Sequence, residues 1–224
     1  MTLLGDQFRP GTFPDALRFI WHNAGFLLAR TGEHLELSFA ALGIALLLSL
    51  PLGLWLGHRH RGLFLAVSVS NVGRALPSLV LIAVGLTILG VGFWNNTAAL
   101  VVLAVPPILT NAYFGVDGVD RDVVEAARGM GLSELQVLLR VELPLGLPLV
   151  IAGIRIAAIF VIATATIAAV AGGGGLGEVI VNQASYGLAG VVGASLCVSA
   201  LAFLTALLLT LLLRAFSRRP DPIS

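Results

Sequence analysis

The sequence predicts an all-α polytopic membrane protein with five transmembrane helices, with six as the alternative. Hydrophobic residues make up 58% of the chain, charged residues 11%, and the mean hydropathy is +0.99, whereas soluble domains carry about 25% charged residues. Several apolar runs are long enough for a helix to cross a hydrocarbon layer of about 30 Å. One long polar stretch, residues 117–144, separates two of these runs. We therefore expect a single membrane domain.

The N-terminal segment, residues 1–32, is predicted to lie outside the membrane or along its interface. Arginines, prolines and other polar residues interrupt it, while residues 15–29 place apolar side chains on one side of a helix. A short additional span is the alternative. We find no basic start followed by an apolar core and a small-residue cleavage site, and so predict no signal peptide.

The first predicted span is residues 35–57, with a kink at Pro51. It ends in the basic cluster His58-Arg59-His60-Arg61, which the positive-inside rule places in the cytoplasm. A histidine pair is compatible with a metal site or a pH switch. Because two arginines accompany the histidines in a short loop, a topology anchor is the favoured interpretation.

The second apolar run, residues 63–92, is interrupted by Asn71, Arg74 and Pro77. It predicts one broken or tilted span, or two short helices that meet near Pro77. Such a break at membrane depth is tolerated where the backbone faces protein or a wet cavity.

Three further spans are predicted at residues 98–116, 147–171 and 191–213. Glycines at 172–175 interrupt the chain after the second of them, and the moderately polar residues 176–189 are expected outside the cell. The last span ends in basic residues, followed by a cytoplasmic tail, residues 215–224. With five spans, the N-terminus lies outside and the C-terminus inside. The basic residues at this end are Arg214, Arg218 and Arg219.

The polar stretch 117–144 has the local pattern of two short helices separated by a break. Asp117 or Asp120 can cap the first helix, because a carboxylate accepts from the free N–H groups of the opening turn. Gly129 and Gly131 can end it, because glycine adopts the left-handed conformation at little cost.

The sequence predicts both the start and the end of the second short helix. Ser133 and Gln136 have the spacing of a capping box. Pro144 is predicted to end the helix, since proline cannot continue the hydrogen-bond ladder. These patterns alone are equally compatible with an ordinary amphipathic loop between spans.

A motif in this stretch resembles the EAA loop of binding-protein-dependent ABC importer permeases. That family's pattern is EAA, three residues, G, nine residues, I, one residue, LP, and only Val141 in place of isoleucine departs from it. The resemblance implies a type I ABC importer fold in which residues 117–144 form a cytoplasmic coupling helix that docks on an ATPase. The implied coupling residues are Glu125, Ala126, Ala127, Gly131, Leu143 and Pro144.

Further segments are similar to the glycine betaine, carnitine and choline branch of that family. They are PLVIAGIR at 148–155, ATATIAA at 163–169 and GGGLGE at 173–178. Residues 74–79, RALPSL, resemble the QTIPSL segment of osmoprotectant permeases, with Arg, Ala and Leu replacing Gln, Thr and Ile. The resemblance covers residues 35–213. It implies a small quaternary-amine substrate, delivered by an external binding protein.

ATP hydrolysis is expected from a partner. All thirteen lysine or arginine positions are arginine, so the chain lacks the lysine with which a P-loop holds phosphate. We expect no cofactor on this chain, no metal site and no catalytic residue, and the net charge of +1 gives no indication of nucleic-acid binding. The expected partners are an ATPase dimer, an external binding protein, a second permease copy or paralogue, and the lipid bilayer.

Several residues within or beside the spans, all but one of them polar, are candidates for the translocation path, because ionisable groups inside a membrane are costly. Packing and satisfaction of broken helix ends is the alternative role for the arginines, and helix packing the alternative for the threonines. The candidates are Arg74, Pro77, Ser78, Arg155, Thr164, Thr166 and Glu178.

Three other functions remain open from the sequence. The first is an ABC permease for methionine or another amino acid. The second is a stand-alone secondary transporter, which would need coupling-ion carboxylates within its spans. The third is a membrane scaffold that transports nothing.

Overall fold

The computed structural model describes residues 11–217, except the side chains of Arg74 and of residues 215–217. These residues form helices and turns without any strand. The predicted N-terminal segment is thus covered from residue 11, and Arg218 and Arg219 lie outside the described residues. The helices are α1 Thr12–His22, α2 Ala24–His58, α3 Leu63–Ala75, α4 Ser78–Leu89, α5 Phe93–Asp117, α6 Arg121–Gly129, α7 Glu134–Val137, α8 Leu143–Ala168, α9 Gly175–Val181 and α10 Gln183–Ser217.

Four helices are long and apolar enough to cross a membrane, and the pair α3–α4 gives a fifth if it is one bent span. This agrees with the predicted five. The two members of the pair are taken as Leu63–Gly73 and Ser78–Leu89, with a break at residues 74–77 between them. No sixth helix among residues 11–217 meets the same test. The four helices are Ala24–His58, Phe93–Asp117, Glu134–Ala171 and Gln183–Arg214.

The first long helix begins eleven residues earlier than predicted, at Ala24 instead of residue 35. The expected interfacial helix over 15–29 is divided at Asn23, which caps α1 by donating its Nδ2 to the Phe19 carbonyl at 2.9 Å. Polar side chains in the part of α2 that precedes residue 35 have hydrogen-bond partners. Thr31 donates to Leu27 O, and His34 Nε2 lies 2.9 Å from Ile162 O.

The break between α3 and α4 confirms the prediction of two short helices that meet near Pro77. Leu76 is extended, at ψ 117°, because the residue before a proline is excluded from the helical region by the proline ring. Pro77 itself has φ −66° and ψ 127°.

The chain forms two compact units. The first comprises residues up to Ala41 together with Pro77–Leu100 and Val161–Leu204. Its apolar core contains Leu27, Ile162, Leu176 and Val198. Asn96, which is fully buried, donates to the carbonyl oxygens of Gly92 and Ala171, and so ties the start of α5 to the turn after α8.

The second unit comprises Leu42–Leu76, Val101–Phe160 and the chain from Thr205. Its helices approach closely at glycines, as the small residues of the predicted spans indicate. A Cβ on Gly53 would stand 2.7 Å from Leu109 O, one on Gly57 2.6 Å from Tyr113 O, and one on Gly153 2.7 Å from Pro107 O.

Candidate coupling site and transport cavity

The polar stretch folds largely as its local pattern predicts. Asp120 is the N-cap of α6, and its side chain accepts from the Asp122 N–H at 2.9 Å. The helix ends at Gly129, and Gly131 has φ +86°, a left-handed conformation that favours glycine. The capping box of Ser133 and Gln136 begins α7.

One side of this stretch is buried and the other is exposed. Val124, Ala127 and Val137 form a small core with Val119. This core fixes α6 against α7 and turns other side chains outward, including the charged Glu125. These exposed residues, which we call the coupling face, are Val123, Glu125, Ala126, Met130 and Leu135.

The prediction that Pro144 ends the second helix is wrong. After α7, residues Leu138–Glu142 form a π-helical turn, the Leu143 N–H bonds to Leu138 O, and α8 continues through Pro144. A wider π turn makes room for the proline ring against the preceding turn, where a regular helix would clash. Leu143 and Pro144 are half-buried and begin α8, so the chain runs from α7 through the π turn into α8 without a break.

A buried ion-pair network lies beneath the coupling face, and the sequence did not predict it. His58, only 6% exposed, places Nδ1 2.5 Å from Glu142 Oε2 and Nε2 3.0 Å from Glu134 Oε2. Arg128 donates to the same Glu134 oxygen at 3.0 Å. Glu142 is 0% exposed, so removing either partner would leave a buried charge uncompensated.

The interpretation of residues 58–61 as a simple topology anchor therefore does not describe His58. His60, the other histidine of the cluster, is exposed and lies 2.8 Å from Asp117 Oδ1. The available indication was Glu142 itself, an acid between apolar residues in VELPLGLPLV, since such a carboxylate needs a partner. Among the described residues, no group of three His, Cys, Asp or Glu side chains is arranged to hold a metal ion.

The candidate translocation residues occupy different environments. In the second unit, half-buried Arg155 donates to Thr210 Oγ1 at 3.1 Å. In the first unit, Thr166 donates to Ala163 O, as expected for helix packing, and Thr164 is buried. The remaining polar candidate, Glu178, forms an ion pair with Arg30 at 2.8 Å.

Two further candidates lie at the α3–α4 break. Pro77 is exposed and Ser78 half-buried. The side chain of Arg74 lies outside the described part of the chain.

A cavity of about 380 Å³ lies within the second unit among α3, α5 and α8. None of its lining residues carries a charge. Thr110 donates to Ala66 O and Asn111 to Pro107 O, so the polar lining is held in place. Because it is a space between helices, no sequence motif indicated it. Its lining is Ser70, Gly73, Leu76, Leu103, Pro106, Pro107, Thr110, Asn111, Ile156 and Phe160.

Apolar helices joined by an exposed polar element are the features of a polytopic membrane protein. Residues 49–221 match the family described as binding-protein-dependent transport system inner membrane component, and the chain belongs to this family. It is therefore a multi-pass membrane transport subunit and not an enzyme. The family identification also argues against a stand-alone secondary transporter and against a scaffold that transports nothing.

Individual relatives indicate which branch of the family the chain resembles. The chain is 38% identical over 164 residues to the glycine betaine/carnitine/choline transport system permease protein OpuCB of Bacillus subtilis (strain 168), a match that covers 73% of this chain and 76% of that protein. It is 37% identical over 164 residues to the carnitine transport permease protein OpuCB of Listeria monocytogenes, covering 73% and 75%. These matches confirm the resemblance to the osmoprotectant branch.

A solved structure confirms the predicted type I importer fold. The inward-facing MetNI methionine ABC transporter, in its CY5 native crystal form, superposes with a TM-score of 0.72 at 22% identity, covering 86% of this chain and 96% of that chain. At this identity the likeness concerns the fold alone.

Proposed function

We propose that this chain forms the membrane path of an ATP-driven importer for small quaternary amines of the glycine betaine, carnitine and choline type. The observation that carries the proposal is the coupling face. α6 and α7 expose a surface of apolar and acidic side chains. From α7 the chain continues through the π turn into the membrane helix α8 without a break. The substrate class follows from the named relatives.

The coupling face is the proposed docking surface for a partner ATPase dimer. Met130 is 75% exposed and Leu135 64%, and exposed apolar side chains beside an acid are typical of a protein contact. The proposed coupling residues are those of the motif, with Glu125 on the surface and Leu143 and Pro144 leading into α8. ATP and Mg²⁺ would be held by the ATPase. ATP-driven closure would then rock the permease halves.

The proposed orientation follows from this assignment. The coupling face and the C-terminus would lie in the cytoplasm of a bacterial cell, and the N-terminus outside, where a binding protein would deliver the substrate. Five spans are too few to enclose a path, so we propose a second permease copy or a paralogue. The proposed domains are residues 1–32, 33–214 and 215–224.

The uncharged cavity of the second unit is a candidate part of the path. A quaternary ammonium has no N–H to donate, and it is attracted to aromatic faces and carbonyl oxygens. Among the lining residues, Phe160 has an aromatic face and Asn111 an amide carbonyl oxygen. We also propose that Arg74, Pro77, Ser78, Arg155, Thr164, Thr166 and Glu178 border the path.

A charge reversal on the coupling face tests the proposal. The complex would be assembled in proteoliposomes with its ATPase and binding protein, and uptake of radiolabelled glycine betaine compared with uptake of methionine. Glu125→Arg is expected to lower uptake about tenfold or more, as loss of an interface hot spot does, while the protein still reaches the membrane. Asp15→Arg, the same charge change on exposed α1, should transport normally. Normal uptake by Glu125→Arg would contradict the docking assignment, and preferential methionine uptake the substrate class.

A further inference from the structure

One imidazole holds both ends of a single segment. His58, the last residue of α2, faces Glu142 Oε2 with Nδ1 and Glu134 Oε2 with Nε2, at 2.5 and 3.0 Å. Glu134 is the first residue of α7 and Glu142 the last of the π turn. The side chain at the end of α2 therefore spans the whole segment that joins the coupling face to α8.

The two contacts require an additional proton. A neutral imidazole carries one N–H, and an ionised carboxylate can only accept. Both contacts are hydrogen bonds only if His58 is an imidazolium or if one of the two carboxylates carries the proton. Loss of this proton leaves one N–H facing two carboxylates, so one of the two contacts must open.

The other charged and titratable groups around the network contact residues other than Glu142. Arg128 of α6 is the charged group behind Glu134, at 3.0 Å. On α5, Asp117 is paired with His60. Two further titratable groups are close in the chain or packed nearby. They are Arg59, which stacks over Trp55, and Tyr113, whose carbonyl lies against Gly57.

The second carboxylate oxygen of Glu142, Oε1, lies on the buried side of the network. Glu142 Oε1 is buried and has no hydrogen-bond partner among the described residues. Glu142 thus depends on His58 for its hydrogen bonding, while Glu134, which is 62% exposed, retains Arg128 and water if the contact opens.

We infer that His58 is a positioning residue for coupling, a proton-dependent clamp that holds the segment 134–142 against the end of α2. With the clamp closed, a displacement of the coupling face is passed to α2 as well as to α8. With the clamp open, α8 alone receives it. The inference rests on the proposed function, because it assumes that an ATPase moves the coupling face.

The clamp makes the number of substrate molecules imported per ATP depend on pH. Loss of the shared proton at raised pH opens the clamp and lowers this ratio. Glu142→Gln removes the dependence, because the amide can donate to Nδ1 while Nε2–H continues to donate to Glu134. His58→Gln presents one amide where the ring spanned two carboxylates, so it lowers the ratio at every pH.

The test uses the complete complex in proteoliposomes, with glycine betaine uptake and ATP hydrolysis measured together between about pH 6 and about pH 9 on the ATPase side. We expect the wild-type ratio to fall by about threefold or more, the Glu142→Gln ratio to stay constant, and the His58→Gln ratio to be low throughout. His22→Gln, which changes an exposed histidine of α1, should follow the wild type.

Specific outcomes overturn the inference. It fails if the number of substrate molecules imported per ATP does not change with pH in the wild type. It also fails if this ratio falls with pH in Glu142→Gln as it does in the wild type, or if the ratio of His58→Gln equals that of the wild type. Should His58→Gln not reach the membrane, the isosteric Glu142→Gln variant decides alone. Failure of the proposed function is recognised separately: the wild-type permease would not copurify with the ATPase, or would not import glycine betaine at any pH.

Discussion

Gly115 of α5 and Gly146 of α8 bring two helices into backbone contact at the base of the coupling stretch. A Cβ on Gly115 would stand 2.9 Å from the Gly146 carbonyl oxygen, closer than a Cβ atom approaches backbone oxygen. Gly115 lies just before the polar stretch and Gly146 just after it. The crossing therefore closes the stretch into a hairpin.

Enlarging Gly115 should open this crossing. Gly115→Val would meet the backbone of α8 and the side chain of Val150, and such overpacking costs about 1–3 kcal/mol of folding free energy. Thermal unfolding of the purified protein in detergent should show a lowered midpoint. Gly43→Ala is the control, since a Cβ there meets nothing within 4 Å. Equal midpoints for Gly115→Val and wild type would contradict the packing argument.

The helices and caps of the coupling stretch were predictable because each depends on residues a few positions apart. Asp120 caps its own first turn, and Ser133 and Gln136 satisfy one another across a single turn. The end predicted at Pro144 failed for a tertiary reason. Packing of the stretch, with Glu142 drawn to His58, accompanies a π turn that no propensity scale indicates for LLRVE.

The network beneath the coupling face could not be derived from local pattern. His58 and Glu142 are 84 positions apart, and nothing in either neighbourhood specifies the other. The cavity has the same origin, because its lining comes from three helices whose register is set by close packing. Glycines form these close helix contacts: Gly73 packs on Pro106, and Gly153 packs on Pro107 and Asn111. Periodicity identifies spans but not which faces meet.

The left-handed conformation of Gly131 provides a graded test of the coupling motif. Its φ of +86° costs an L-residue roughly 1–2 kcal/mol, less for asparagine, whose side chain tolerates this region, and more for β-branched residues. We expect Gly131→Val to disturb the junction of α6 and α7 and to reduce copurification of the ATPase, while Gly131→Asn stays closer to wild type. A Cβ here meets nothing within 4 Å, so backbone strain alone is tested. The argument fails if the two variants bind the ATPase equally.

Asn96 should be important for the stability of the first unit. Its Nδ2 donates to Gly92 O at 2.8 Å and to Ala171 O at 3.2 Å, and the side chain is buried. Asn96→Leu removes both side-chain hydrogen bonds, each worth about 0.5–1.5 kcal/mol, while the two carbonyl oxygens keep their backbone N–H donors. The loss is measured by thermal unfolding in detergent. Asn71→Leu, at an exposed position of α3, should change the unfolding free energy by less than about 0.5 kcal/mol. Similar losses in both variants would show that the buried bonds are not the cause.

Glu33 should hold the start of α9, because its Oε2 accepts both from the Gly175 N–H and from Arg30, each at 2.9 Å. Glu33→Ala removes both bonds, whereas Arg30 keeps its ion pair with Glu178. Since Glu33 is 47% exposed, we expect a local effect of roughly 1 kcal/mol, seen as amide hydrogen exchange in α9 that is about three to ten times faster. Glu36→Ala, at an exposed position of the same helix, is the matched control. Unchanged exchange in α9 of Glu33→Ala would mean that the glycine run, and not this carboxylate, fixes the helix start.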